Sequence, residues 1–451
     1  MNMINVRRLT VMTFLGAGML SGISAQVSPL QVDTLKETKI PDQWDLQSCI
    51  DYAKEQNITI RKNRITAVST QIDVKTAKAA LFPSLSFSTG HQVVNRPYQE
   101  TSSRVSGSEI ISSNSKTSYN GNYGLNASWT LYNGNKRLKT IQQEKLNNQM
   151  AELDVATSEN NIQESIAQVY IQILYAAESV KVNENTLQVS IAQRDRGQEL
   201  LNAGSIAKSD LAQLEAQVST DRYQLVTAQA TLEDYKLQLK QLLELDGENE
   251  MNIYLPALSD ENVLAPLPTK RDVYISALSL RPEIEASKLN VEASELGINI
   301  AKSSYFPTIS LSAGIGTNHT SGSDFTFGEQ VKNGWNNSIG LSVSVPIFNN
   351  RQTKSAVQKA KLQYETSMLS LLDEQKALYK TIESLWLDAN SAQQRYAAAN
   401  EKLKSTQISY ELISEQFNLG MKNTVELLTE KNNLLQAQQE QLQAKYMAIL
   451  N

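Results

Sequence analysis

The sequence predicts a mainly α-helical chain with a membrane β-barrel part, built from a duplicated helix-strand-strand-helix-helix unit. Three observations predict it. Segments recur in the same order: Ala77 to Gly90 reads AKAALFPSLSFSTG and Ala301 to Gly314 reads AKSSYFPTISLSAG; Leu125 to Asn133 (LNASWTLYN) matches Leu341 to Asn349 (LSVSVPIFN); Leu200 to Leu211 (LLNAGSIAKSDL) matches Gln416 to Leu427 (QFNLGMKNTVEL). A period of roughly 220 residues is too long for a solenoid and reads as a duplication whose halves form one architecture. Directly after each Phe-Pro pair the apolar period switches from 3.6 to 2. Beyond the strands run two proline-free stretches, 135–201 and 351–417, each about 100 Å long as a helix.

Residues 1–25 read as a signal peptide. Arg7 and Arg8 form the charged n-region, Val11 to Leu20 the apolar core, and Ile23-Ser24-Ala25 the small-residue cleavage site. The apolar run is too short to anchor in a bilayer, and no cysteine follows it to carry a lipid. The mature chain is therefore expected to be exported. Loss of Arg7 and Arg8 takes the net charge from −5 to −7, which speaks against nucleic acid as a partner. Cys49 is the sole cysteine, so intramolecular disulfides and cysteine metal clusters are excluded; within LQSCIDYA it reads as a small buried hydrophobe. After the signal no run of some 18 apolar residues occurs, so membrane passage would need a closed barrel.

The first repeat spans 26–245. It comprises a helix over 44–80 with Asp45 as N-cap, strands 84–93 and 119–132, and helices 135–201 and 208–245. In the first strand Leu85, Phe87, Thr89, His91 and Val93 share one face, opposite Ser84, Ser86, Ser88, Gly90 and Gln92. In the return strand Tyr119, Tyr123, Leu125, Ala127, Trp129 and Leu131 alternate with Asn and Ser. Residues 94–118 between them read as a polar loop. A linker, 246–269, holds Pro256, Pro266 and Pro268. The second repeat, 270–451, follows the same plan: helix 270–303, strands 308–317 and 337–348, a polar loop over 318–336, and helices 351–417 and 425–449.

Each strand has the length that a tilted strand needs to cross a membrane. The apolar faces, with Leu125, Ala127, Trp129, Leu341, Val343 and Val345, carry no Asp, Glu, Lys or Arg, whereas a solvated sheet would present Lys and Glu rather than Ser, Gly and Asn. Aromatics gather near strand ends, as interfacial belts do. Four strands cannot close a barrel, so chains must pool them. A dimer would supply eight and a trimer twelve. Heptads on the long helices (Leu371, Leu378, Leu385, Ala392, Ala399 offset by Ile382, Ala389, Tyr396, Leu403) read as coiled-coil patterning. The half-length helices, stacked in pairs, would lie beside the long ones.

The ordered set, present twice over the whole mature chain, resembles the TolC-type outer-membrane efflux proteins. That resemblance implies a trimer with a twelve-stranded outer-membrane barrel continued by a long periplasmic α-helical barrel. It implies a passive exit duct for small molecules delivered by a periplasmic adaptor and an inner-membrane transporter of RND or ABC type. A duct for type I secretion of a protein or peptide shares the architecture, and a periplasmic coiled-coil scaffold without a pore is a rival from another class. By the same resemblance the helix–turn–helix tips, Gly204, Ser205, Ile206 and Ala207 with Gly420, Met421 and Asn423, dock the adaptor. Lys422, Glu426, Asp210, Phe417 and Thr429 form the pore constriction, with Lys422 where the family has arginine and Phe417 where it has tyrosine. Thr429 stands where a second pore-facing acid is usual. Read without the family, Gly204 and Gly420 are helix C-caps, and Asp210 and Glu426 are acids favoured by helix N-termini.

Catalytic chemistry is not indicated. No phosphate-binding loop follows a strand, no Ser or Cys nucleophile has a histidine in reach, and the two histidines, His91 and His319, read as residues at the rim of the strands. No metal or cofactor is expected.

Overall fold

The structure, a computed structural model, describes residues 41–98, 102–106, 109–113, 116–246, 251–256, 263, 265–321, 323 and 325–450. The signal peptide and much of the 246–269 linker lie outside the described residues. The chain divides at Asp42, and the architecture below is that of Gln43–Asn451.

The expected helix over 44–80 is two helices, α1 (Leu46–Gln56) and α2 (Ile58–Ala79). Asp45 caps the first, its carboxylate accepting the Ser48 N–H at 2.8 Å. Asn57 breaks the run: its side-chain oxygen accepts from Thr59 and Ile60, while its amide donates to the Leu242 carbonyl at 3.1 Å. A residue that caps the next helix cannot also continue the previous one. Strand β1 (Ser84–Asn95) follows, then a hairpin of β2 (Ser102–Ser106) and β3 (Glu109–Ser113) inside the expected polar loop, then β4 (Thr117–Asn133). Helix α3 (Lys136–Asn202) turns into α4 (Lys208–Leu242), shorter than expected because Glu244 takes φ of +57°.

In the second half the expected helix 270–303 is again two, α5 (Lys270–Leu280) and α6 (Pro282–Ser303). Pro282 has no N–H to donate and holds Arg281 extended, at ψ of 121°. Strand β5 (Thr308–Thr320) runs three residues past its expected end. The loop after it contains α7 (Phe327–Asn333), opened by a capping box between Thr326 and Glu329. Strand β6 (Asn336–Ser344) stops before Pro346, so Val345 and Ile347 lie beyond the ladder. Helices α8 (Gln352–Asn418) and α9 (Thr424–Leu450) complete the chain. Among the described residues no helix is long and apolar enough to cross a membrane.

The four long strands form one antiparallel sheet in the order β1-β4-β5-β6, joining the hairpins of both halves. Register sorts the chemistry by row. Leu85, Ala127, Ala313 and Ile339 lie side by side, and the next row is Ser86, Asn126, Gly314 and Ser338. A bulge at Leu131 interrupts the alternation, so Tyr132 rather than Leu131 pairs with Ile309.

Helices α2 and α4 both pack along α3, and α9 packs along α8, while α6 lies against both long helices. The main core sits where α1, α3, α4 and α9 converge, around Cys49, Ile166, Tyr170, Ile173, Leu239 and Leu442. Trp44 closes it and is tied to the linker by reciprocal backbone bonds with Asn252 and Tyr254, both 2.8 Å. Of the heptad residues on α8, Ile382, Ala389, Ala392 and Tyr396 are buried, whereas Leu385 is 47% exposed in the single chain.

Candidate functional site

The two helix–turn–helix tips share one backbone geometry. At the end of α3 the Ser205 N–H donates to Leu200 O at 2.8 Å and Gly204 N–H to Leu201 O at 2.9 Å. At the end of α8 Met421 N–H donates to Gln416 O and Gly420 N–H to Phe417 O, each at 2.9 Å. These are Schellman closures, which require a left-handed residue. Gly204 and Gly420 supply it, at φ of +73° and +75°. Nothing lies within 4 Å of a Cβ built on either glycine, so backbone angle, not space, demands glycine there.

The charged residues serve the turns themselves. Asp210 accepts the Ala207 N–H at 3.0 Å. Glu426 and Asn423 form a reciprocal box, with Glu426 N–H to Asn423 Oδ1 at 2.9 Å. Lys422 pairs with Glu426 at 3.1 Å, one turn along, and both are more than a third exposed. Thr429 spends its hydroxyl on the Val425 carbonyl at 2.7 Å. Phe417 is 2% exposed, packed as a core residue. Ser205, Ala207 and Asn423 are exposed and Ile206 half-buried; Leu419, Met421 and Val425 form an apolar, solvent-facing edge on the second tip.

Sequence reasoning missed the contacts that join one helical hairpin to the other. Above the tips Lys431 of α9 donates to Asp221 of α4 and to Ser190 of α3, and all three are at most 3% exposed. Gln217 donates a further bond to Asp221 at 2.8 Å. Burial holds the Lys431 ammonium below the ordinary lysine range, and the Asp221 partner opposes that shift. The signal was present in the seams: Asp221 follows Leu214 and Val218 at helical spacing, and Lys431 stands between Leu427 and Leu434. A second link, Gln193 Nε2 to Tyr410 Oη at 2.9 Å, joins α3 to α8.

In the sheet, Leu125, Ala127 and Trp129 share a face on β4, and Leu341 and Val343 share one on β6, where both are strongly exposed. Val345, expected on that strand, lies outside it.

A family model described as outer membrane efflux protein matches residues 49–244 and 273–449. The outer membrane efflux protein BepC of Brucella suis is 24% identical over 294 residues, 65% of this chain and 61% of BepC. Outer membrane protein TolC of Escherichia coli is 24% identical over 294 residues, 63% of this chain and 58% of TolC. The matched region thus spans about three-fifths of either relative. The solved structure of CusC superposes with a TM-score of 0.75 at 19% identity, covering 90% of this chain and 89% of CusC. CusC forms a transmembrane channel. With both halves of the chain matched by one model, the protein belongs to the outer membrane efflux protein family and is a protein of the outer membrane.

Proposed function

We infer that this chain is one third of a passive exit duct, a homotrimer that pools its strands into a twelve-stranded barrel and its long helices into a periplasmic tube. The open sheet carries this reading. Strands β1 and β6 are both unpaired on their outer sides, and the apolar face near the edge is bare, with Ile339 83% and Leu341 65% exposed. Such an edge invites pairing with another chain, and four strands are half of the smallest transmembrane barrel. Leu362, Leu369 and Leu372 on α8 are likewise exposed at heptad-related spacings, a stripe suited to a neighbouring protomer.

The two stretches 26–245 and 270–451 act as repeats, and the family model matches once in each. Cargo consists of small molecules handed over by a periplasmic adaptor and an inner-membrane pump; BepC is an efflux protein by name, and conformational changes accompany the folding and transmembrane channel formation of CusC. The tips at Gly204 to Ala207 and Gly420 to Asn423 are the docking ends, and the chain catalyses no reaction. Detergent extraction followed by electrophoresis of unboiled and boiled samples tests the assembly, and planar bilayers test the pore. Heat-sensitive trimers that conduct are expected; a water-soluble, non-conducting coiled coil would overturn the reading. Cysteines at Ser205 or Met421 should crosslink to the adaptor in cells, and crosslinks confined to the helix middles would displace the docking site.

A further inference from the structure

His91 and His319 are the only histidines of the chain, far apart in sequence and on strands from different repeats. Both β1 and β5 pair with β4, and the register sets the two histidines on either side of Gly121. All three residues face the same side of the sheet, with Tyr119 and Tyr123 flanking the glycine two positions away on its own strand.

Gly121 has no side chain, and the two imidazoles close over its position. A Cβ built there would lie 2.7 Å from His319 Nδ1, 2.9 Å from His319 Cε1 and 3.2 Å from His91 Nδ1. Both Nδ1 atoms therefore border one small region above the glycine. His319 Nδ1 is buried and has no hydrogen-bond partner in the described structure, an unfavourable state for a polar atom unless something fills it.

His91 is held by two neighbouring side chains. The Tyr119 hydroxyl lies 2.7 Å from its Nδ1, and Thr89 Oγ1 lies 3.1 Å from its Nε2. With Tyr119 donating, Nε2 carries the proton and the Nδ1 lone pair is held by the Tyr119 hydroxyl, which turns away when Nδ1 takes a ligand. The Thr89 contact is then the outer bond that orients a ligating imidazole. Rings wall the place in: Tyr119 stacks on His91 at 5.9 Å and meets His319 edge-on at 5.1 Å, and Phe327 of α7 closes on His319 at 4.9 Å. Helix α7 is fastened to β5 by Thr317 Oγ1 donating to Val331 O at 2.8 Å. Rings sheltering a bare glycine account for the tyrosines. They do not account for two imidazole nitrogens turned inward, one of them unpartnered.

We propose that His91 and His319, converging over Gly121, bind a divalent transition-metal ion such as Zn²⁺ or Cu²⁺ through their Nδ1 atoms. Imidazole suits these ions, and the absence of carboxylates disfavours Ca²⁺ and Mg²⁺. Among the described residues no cluster of three or more His, Cys, Asp or Glu side chains forms a metal site, so the remaining positions go to water. That makes an open, exchangeable site rather than a closed structural one.

The test uses the full chain, purified in detergent without a histidine tag. Zinc titration calorimetry is expected to show one ion per chain, and Cu²⁺ should give a paramagnetic resonance spectrum with two coupled nitrogens. His91→Ala and His319→Ala should each weaken zinc at least about tenfold. Gly121→Ala keeps both imidazoles but fills the space between them, and should weaken it as much. Equal zinc affinity in parent and variants, or a copper spectrum without two nitrogens, overturns the proposal and leaves an aromatic packing cluster only. Should the glycine variant not assemble, diethylpyrocarbonate modification of the parent decides: saturating zinc protects both histidines if the site exists, and unchanged rates at both refute it.

Discussion

Lys431 is an ammonium buried between Asp221 and Ser190, where desolvation makes either charge alone expensive. Replacing Lys431 by Met leaves Asp221 buried and unpaired, and is expected to cost about 3–5 kcal/mol in chemical denaturation of the assembled protein. Replacing both, Lys431→Met with Asp221→Leu, should recover most of that loss, since an apolar pair of similar volume avoids the desolvation of two ions. If the single and double variants are equally destabilised, the pair is not coupled. Cys49 is the simpler case. Burial, and next the Asp45 charge, push its thiol up to about 12, well above an ordinary thiol near 8.5. The folded chain thus holds almost no thiolate at neutral pH. Maleimide at pH 7–8 should leave it unlabelled until denaturant is added, and fast labelling of the native protein would contradict its place in the core.

At the scale of the element, the strands state their faces and the turns state their angles. Arginine at Leu125, Ala127 or Val343 would put a charge on the apolar rows, at a cost of roughly 2–4 kcal/mol near the bilayer midplane. Arginine at Ser128, in the row of Ser84, Ser312 and Gly340, should be tolerated. The yield of heat-sensitive trimer measures both, and comparable losses at both sets would remove the case for alternating lipid and lumen faces. The same register explains why Val345 is a poor test position: Pro346 cannot donate to a ladder, and β6 has ended one residue before Val345.

For the whole molecule, the proposed trimer would bring three copies of each tip into one ring. Within one chain Lys422 leans on Glu426, and Asp210 is engaged with the Ala207 N–H. An exposed pair contributes at most about 1 kcal/mol, but three copies around a narrow ring act on one closed–open equilibrium. Neutralising Lys422 together with Asp210 should raise single-channel conductance in planar bilayers. A double variant that conducts like the parent would assign both residues to turn and cap chemistry alone.

The sequence by itself determined the types of the long elements, the duplication and the two tips, but not the hairpin and short helix inside the two polar loops. Each rests on local physics: a period of 2 against 3.6, a proline that ends a run, a glycine where φ must be positive. It misplaced breaks that depend on partners, as at Asn57, which abandons one helix because the Leu242 carbonyl lies within its reach. Only the tertiary structure decided which distant residues meet. Asp221 and Lys431 are each legible as charges in apolar seams, yet nothing local pairs them, because their contact depends on how α9 lies against α3 and α4. His91 and His319 read singly as rim residues; strand register alone carries both to Gly121, since pairing with one shared strand is a non-local constraint that no window of sequence contains.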